Sequence, residues 1–266
     1  MNSLKELRVF LGSFILLIVS YIIYFVRYPM WNLFSIVEPV FIFSFLSYFI
    51  VFIIALILLK KDSRKSLLRV FKNKGSFMIL MGVFFAIFYL VVWYLISISL
   101  GSKIEFNSLL TLRGFESYAF LSLPLAFGLY LAFALFGAFA EEVAYRGYIQ
   151  TRISSTYGPV LGIFVSTLFF SLQHIHVFEM SWIVQFFQTQ FFHVFLFGIF
   201  GGCLFLKSKE NIWSVFAMHA FSNAYSVSVP IVVIHIFPFT FYIAEITSFA
   251  AMIFLLKYLH DKNKKQ

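Results

Sequence analysis

Apolar positions in this chain run in long unbroken blocks, with polar residues gathered between them rather than alternating through them. Blocks near or above the roughly 18 to 20 residues that cross a bilayer as helix predict membrane-spanning helices. A transmembrane barrel would instead alternate in segments of about ten residues. The pattern predicts helix one at about 9–26, helix two at about 39–59 and helix three at about 77–100. Helix four starts near Tyr118 and continues as a more polar helix toward Ile153. The run Ser154-Ser155-Thr156-Tyr157-Gly158-Pro159 then reads as a break. Helix five follows from Pro159 to about His174, and 176–188 reads as a loop or an interfacial piece. Helix six is expected at about 189–206 and helix seven at 212–229, ended by Pro230. Helix eight is expected from near Ile231 to Tyr258, kinked or interrupted at Pro238.

Composition sharpens this. Hydrophobic residues make up 62% of the 266 and charged residues 12%, about half the charge of a soluble domain. The 40 phenylalanines suit lipid-facing and helix-packing surface. The net charge of +9 lies mostly in short loops, so it reads as an orientation signal and argues against a nucleic-acid partner. The loop with Lys60, Lys61, Arg64, Lys65, Arg69, Lys72 and Lys74 carries Asp62 as its one acid and is assigned to the cytoplasm. Lys5 and Arg8 precede an apolar run without a small-residue cleavage site, so the first helix is expected to be retained. Eight helices put both termini in the cytoplasm, together with the basic loop, the Arg146/Arg152 turn, the Lys207/Lys209 loop and the lysine tail. The expectation is an all-α polytopic bundle, one transmembrane domain over 1–266, in the lipid bilayer of the cell membrane if the source is prokaryotic. The lone Cys203 forms no internal disulfide.

Against this background, Glu141-Glu142-Val143-Ala144-Tyr145-Arg146 stands out at the end of an apolar run. A charged residue at the centre of a membrane helix costs roughly 2.5 to 3.5 kcal/mol on insertion scales, and by default it proposes a functional site. On a helix Glu142 and Arg146 share a face, while Glu141 lies about 100° around. One carboxylate can then be held by the arginine while the other works. If helices four and five form an antiparallel hairpin, Glu141 and His174 are nearly equidistant from its turn, roughly 20 to 25 Å away on each side. That match requires helix four to continue past Arg146. His219 and Asn223, four apart on helix seven, reach a similar depth. An acid, two imidazoles and an amide could thus meet in one polar pocket.

Three motifs here resemble those of the CPBP family, which groups CAAX proteases with bacteriocin-processing and immunity proteins. Glu141 to Arg146 matches EExxxR, Phe170 to His174 matches FxxxH, and His219 to Asn223 matches HxxxN. Gly198, Gly201, Gly202, Ile212 and Trp213 resemble the usual approach to the last motif. The resemblance covers about 118–229, the expected catalytic core. It implies a glutamate-dependent intramembrane endopeptidase similar to type II CAAX prenyl endopeptidases, without a metal or other cofactor. Carried over by motif, Glu141 with His174 would activate a water, His219 and Asn223 would stabilise the oxyanion, and Arg146 would hold Glu142. The substrate would be a prenylated CAAX C-terminus, another peptide or a membrane protein. Two other readings compete: a non-catalytic immunity or regulatory scaffold of the same family, and a transporter using buried glutamates as proton carriers. The absence of an evident inverted repeat weighs against the transporter. His176 is assigned no role, and His235 and His260 read as structural. His193 reads as packed or as polar glue between helices. Glu245 has no partner evident in the sequence.

Overall fold

The computed structural model describes residues 11–16, 18–19, 37–62, 70–71, 75–106, 123–175, 180–228, 231–234 and 238–264. Within the first predicted helix, 11–16 and 18–19 are helical, and Leu16 is buried in the core. The rest of that helix, most of the basic loop, residues 107–122 ahead of helix four, His176 and His235 lie outside the described residues.

The described chain is a helical bundle, as the apolar blocks imply. In order it contains α1 (Val37–Asp62), α2 (Gly75–Ser99), β1 (Lys103–Phe106) and α3 (Leu123–Glu142). A π-helical segment, Val143–Gln150, joins α3 without a break to α4 (Thr151–Tyr157). Then come α5 (Pro159–Leu172), α6 (Met180–Gln185), a second π segment (Phe186–Gln190) and α7 (Phe191–Lys207). The chain ends with α8 (Ile212–Ser228), β2 (Ile231–Ile234) and α9 (Pro238–Lys264). Helix four therefore does continue past Arg146. It stops at Gly158, whose φ of 93° is the left-handed conformation that suits glycine. Pro159, with no N–H to lose, then opens α5. Asn211 starts α8 by accepting the Trp213 backbone N–H at 2.9 Å.

One expectation is corrected. Residues 231–234 are a strand, not the start of a helix, and Pro238 begins α9 rather than kinking it. The run Ile-Val-Val-Ile is β-branched throughout and favours extended backbone. It pairs antiparallel with β1, with Lys103 opposite Ile234 and Phe106 opposite Ile231. The stretch 176–188, expected as a loop or interfacial piece, is helical from Met180 and leads through the second π segment into α7.

Among the described residues, two helical stretches, 76–99 and 239–262, are long and apolar enough to cross a membrane, and three shorter apolar helices accompany them. On α2, Phe77, Leu80, Phe84, Ile87, Val91 and Leu95 are exposed at three- and four-residue spacing. That makes one continuous apolar stripe on the outside of the bundle, which suits a hydrocarbon surround. The other side of α2 packs on α8, its principal neighbour, and on α9. Aromatic contacts join the layers: Phe85 of α2 meets Phe200 of α7 at 5.2 Å between ring centroids. Phe139 of α3 stacks on Trp213 of α8 at 5.8 Å.

The α2–α8 crossing depends on Gly82. A Cβ there would collide with the Ser214 carbonyl and stand 2.9 Å from both the Ala217 Cβ and the Met218 nitrogen. Gly128 on α3 has nothing within 4 Å of the same position. Gly82→Ala is expected to destabilise the detergent-solubilised protein by about 1 to 3 kcal/mol through overpacking. Gly128→Ala should be neutral or slightly stabilising. Paired thermal melts check this, and equal melting temperatures would contradict the close approach.

Candidate active site

The polar centre is assembled where α3 passes into its π segment. All eight residues from Val143 to Gln150 are buried. A π turn carries its hydrogen bonds one residue further than an α turn, and such turns are frequent at functional sites. At its end the Thr151 side chain adds a hydrogen bond of its own, Oγ1 donating to the Arg146 carbonyl at 3.0 Å. The hairpin register inferred from the sequence is visible in side-chain contacts. Ser166 Oγ donates to the Tyr145 carbonyl at 2.8 Å, and the Tyr145 hydroxyl donates to Gln173 Oε1 at 2.7 Å. Nearer the turn, Gly162 lies against the Ser154 side chain and the Gln150 carbonyl, where a Cβ would not fit.

Glu142 and Arg146 are both fully buried. Arg146 Nη1 donates to Glu142 Oε1 at 3.2 Å, and Nη2 reaches the Gly198 carbonyl at 3.4 Å. The guanidinium lies 4.4 Å above the Phe170 ring, a cation–π contact. Glycines on α7 make this possible. A Cβ on Gly201 would stand 3.2 Å from Arg146 Nη2, and one on Gly202 would stand 3.0 Å from Gln150 Oε1. Gln150 Nε2 completes the seam by donating to the Gly202 carbonyl at 2.9 Å.

His219 joins this pair to Glu141. Its Nδ1 lies 2.8 Å from Glu142 Oε1, and its Nε2 lies 3.7 Å from Glu141 Oε2. A carboxylate only accepts, so Nδ1 carries the proton toward Glu142. Neither glutamate is therefore left to itself: one imidazole spans both, which the sequence did not suggest. Phe170 and Phe197 pack edge-on to His219 at 5.7 and 5.2 Å between centroids. They fix the ring from two sides.

His174 is placed by its own turn of helix. Its Nδ1 lies 2.8 Å from the Phe170 carbonyl, which can only accept. The proton therefore sits on Nδ1, and Nε2 is left for other work. Glu141, His219 and Arg146 are all within electrostatic reach of this ring. Asn223 is tied to α3 through Nδ2, which donates to the Ala134 carbonyl at 3.3 Å. His174, His219 and Asn223 line one cavity of about 710 Å³, together with Phe170, Phe197 and Ser222. Of the seven motif residues, Phe170, His174, His219 and Asn223 line this cavity, and Glu141, Glu142 and Arg146 stand behind them. Among the described residues, no three His, Cys, Asp or Glu side chains converge closely enough to share a metal ion.

Several participants had no sequence signal. Gln150 and Gln173 are buried polar residues that lock the helices around the site, and Tyr89 sits inside an apolar run. Glu245, which showed no partner in sequence, is hydrogen-bonded to Tyr89 and His193, and all three line the same cavity. Partners on other helices leave no local pattern.

No curated protein matches the chain. Residues 123–225 match a family model described as type II CAAX prenyl endopeptidase Rce1-like, a family of membrane proteins. The matched stretch holds all three motifs and every side chain of the Arg146–Glu142–His219–Glu141 row. This segment of the chain is thus similar to the Rce1-like CAAX endopeptidase family, the resemblance that the motifs suggested.

Proposed function

We propose that this chain is a multi-pass intramembrane endopeptidase of the glutamate type, with 118–229 as its catalytic core and Glu141 and His174 as the water-activating pair. The observation that carries the reading is the meeting of His174 and His219 at one cavity, with Glu141 directly beside His219. Glu141 is 6% exposed and sits beside His219 at 3.7 Å. His174 has Nε2 free of its anchoring hydrogen bond. A water held between the Glu141 carboxylate and His174 Nε2 loses a proton to the carboxylate as its oxygen attacks the scissile carbonyl carbon. Negative charge then develops on the carbonyl oxygen. The second N–H of the Asn223 amide can face it, and so can His219 when, flanked by two carboxylates, it carries a second proton on Nε2. The proton held on Glu141 passes to the leaving nitrogen as the C–N bond breaks. Arg146 and Glu142 take no part in bond-making in this scheme; they orient His219 and thereby Glu141.

The substrate class follows the family: a prenylated CAAX C-terminus or another peptide or membrane protein with an accessible extended segment. A cavity of about 710 Å³ with aromatic walls accepts an apolar segment, within the range of ordinary ligand sites. The same arrangement could serve a non-catalytic scaffold, but that role gives no use for a nearly buried acid beside two histidines.

Cleavage of a farnesylated CAAX peptide by purified protein separates these readings. Glu141→Gln and His174→Ala are expected to lower turnover by about 10²- to 10⁴-fold, the usual weight of a general base. Melting temperature should move little, and a chelator should change nothing. Turnover that survives Glu141→Gln would overturn the mechanism. Arg146→Met behaves differently. It strands the Glu142 charge in a dry site, and breaking such a pair costs about 3 to 5 kcal/mol. The expected outcome is poor recovery of folded protein on size-exclusion chromatography. A well-folded and fully active Arg146→Met protein would contradict the positioning role of the Arg146–Glu142 pair.

A further inference from the structure

The cavity belongs to one end of the bundle. Helices α2, α5 and α8 line it from Tyr89, Phe170 and His219 onward, toward their C-terminal ends. Helices α7 and α9 run the other way and line it as far as Phe197 and Glu245. Side-chain contacts fix these directions: Tyr94 of α2 is hydrogen-bonded to Tyr225 of α8, and Tyr89 meets both His193 and Glu245. All five helices therefore give the cavity the part nearer the β1–β2 ribbon, and Val233 of β2 adds to the wall. Exposure rises in the same direction. His219 is almost enclosed, the His193 side chain is 39% exposed, and Gln190 and Ser226 at the rim are exposed. On the other side of His219, toward Gly158 and the 207–211 loop, packing is closed: Arg146, Gln150, Phe200, Leu204 and Val215 are fully buried. The mouth is thus at the ribbon end and the opposite end is sealed.

Charge says which side of the membrane each end occupies. The segments joining α1 to α2 and α7 to α8 are basic, as are Arg152 of α4 and the lysine tail after α9. All of them belong to the sealed end. Between α2 and α3, where the ribbon begins, the sequence balances Lys103 and Arg113 with Glu105 and Glu116. The sealed end is therefore cytoplasmic by the positive-inside rule, and the mouth faces the other side. Depth agrees with this. Along α7 from Lys207 to His193, and along α9 from Lys257 to Glu245, the helix rises roughly 20 Å at about 1.5 Å per residue. That is about two-thirds of a hydrocarbon core roughly 30 Å thick. A peptide coming from the cytoplasm would have to pass that much packed helix, while one coming from the ribbon end enters at the rim.

We propose that the cavity opens on the extracytoplasmic face and takes an extended, apolar segment of an exported or membrane-inserted polypeptide. The inference rests on the peptidase reading and narrows it, favouring such a polypeptide over a prenylated tail. The lining suits an apolar segment: aromatic and aliphatic side chains predominate, and among the described residues no lysine or arginine joins them. A tail prenylated in the cytoplasm would meet the sealed end instead.

The test reads sidedness and cleavage separately. In the full chain the lone Cys203 is replaced by serine. Single thiols are then introduced by Ser226→Cys at the rim, Ser222→Cys inside the cavity and Ser155→Cys at the end of α4. Intact bacterial cells expressing each chain are treated with a charged, membrane-impermeant maleimide, and a second maleimide after permeabilisation counts the thiols left. Ser226→Cys and Ser222→Cys are expected to react in intact cells about tenfold faster than Ser155→Cys, which the charged reagent reaches only across the bilayer. Permeabilisation should expose the Ser155→Cys thiol. The reverse pattern, or equal labelling of all three in intact cells, overturns the proposal. Ser226 is exposed, so its variant reports even if Ser222→Cys folds poorly. Cleavage is followed with the Cys203→Ser chain on a pool of short apolar peptides that includes the farnesylated CAAX peptide. Right-side-out vesicles should cut added peptide about tenfold faster than inverted ones, and detergent should equalise the two. Turnover of the farnesylated peptide alone overturns the substrate class. Cleavage in detergent that is faster in inverted vesicles sinks the opening and leaves the peptidase. Labelling from outside without cleavage of any peptide in detergent sinks the peptidase and leaves the opening.

Discussion

The centre of this molecule depends on keeping Glu142 company. It is a fully buried carboxylate in a chain that is 62% hydrophobic, and an isolated charge in such a place would be neutralised or expelled. Arg146 and His219 both bind its Oε1, and Glu141 closes the row on the other side of His219. Buried pairs of this kind contribute little net stability compared with apolar packing, because desolvation offsets the attraction. What they supply is position. The row fixes one imidazole between two acids, in one orientation, at the wall of a cavity.

That position has structural requirements well away from the charges. A guanidinium over an aromatic ring needs flat space on its other side, and α7 supplies it by presenting Gly201 and the Gly198 carbonyl. A π segment, rather than a regular α-helix, carries Arg146 and Gln150 against that seam. Gly162 lets α5 come close enough for Ser166 to reach the Tyr145 backbone. Each of these backbone features is local, and each serves to bring polar side chains to one depth. The outer faces carry no such constraint, and on α2 the exposed stripe is simply apolar.

Much of this was readable in the chain. Apolar blocks gave the helices, Gly158-Pro159 gave the turn, and equal distance from that turn put Glu141 level with His174. Those signals work because period, length and breakers act locally. The four-residue spacing of Glu142 and Arg146 likewise fixed their pairing. What sequence could not give was anything decided by two distant segments at once. The ribbon of 103–106 with 231–234 needs both strands before either is stable, so one β-branched run beside a proline was read as helix. The bridging position of His219 depends on α3 and α8 approaching each other. The π segment has no composition of its own. Glu245 seemed solitary because Tyr89 and His193 are remote from it along the chain.

The two polar clusters differ in a way that bears on their roles. In the Arg146 row both carboxylates and the imidazole are almost wholly enclosed, with His219 and Glu141 each 6% exposed. A group enclosed to that degree meets a substrate only at its edge, which suits chemistry on a single bond. In the Tyr89–His193–Glu245 cluster the acid is enclosed while the imidazole stands open. An open ring with a fixed counter-charge behind it suits holding a ligand rather than transforming it. Phe197 touches an imidazole of each cluster, so movement of α7 alters both sites together.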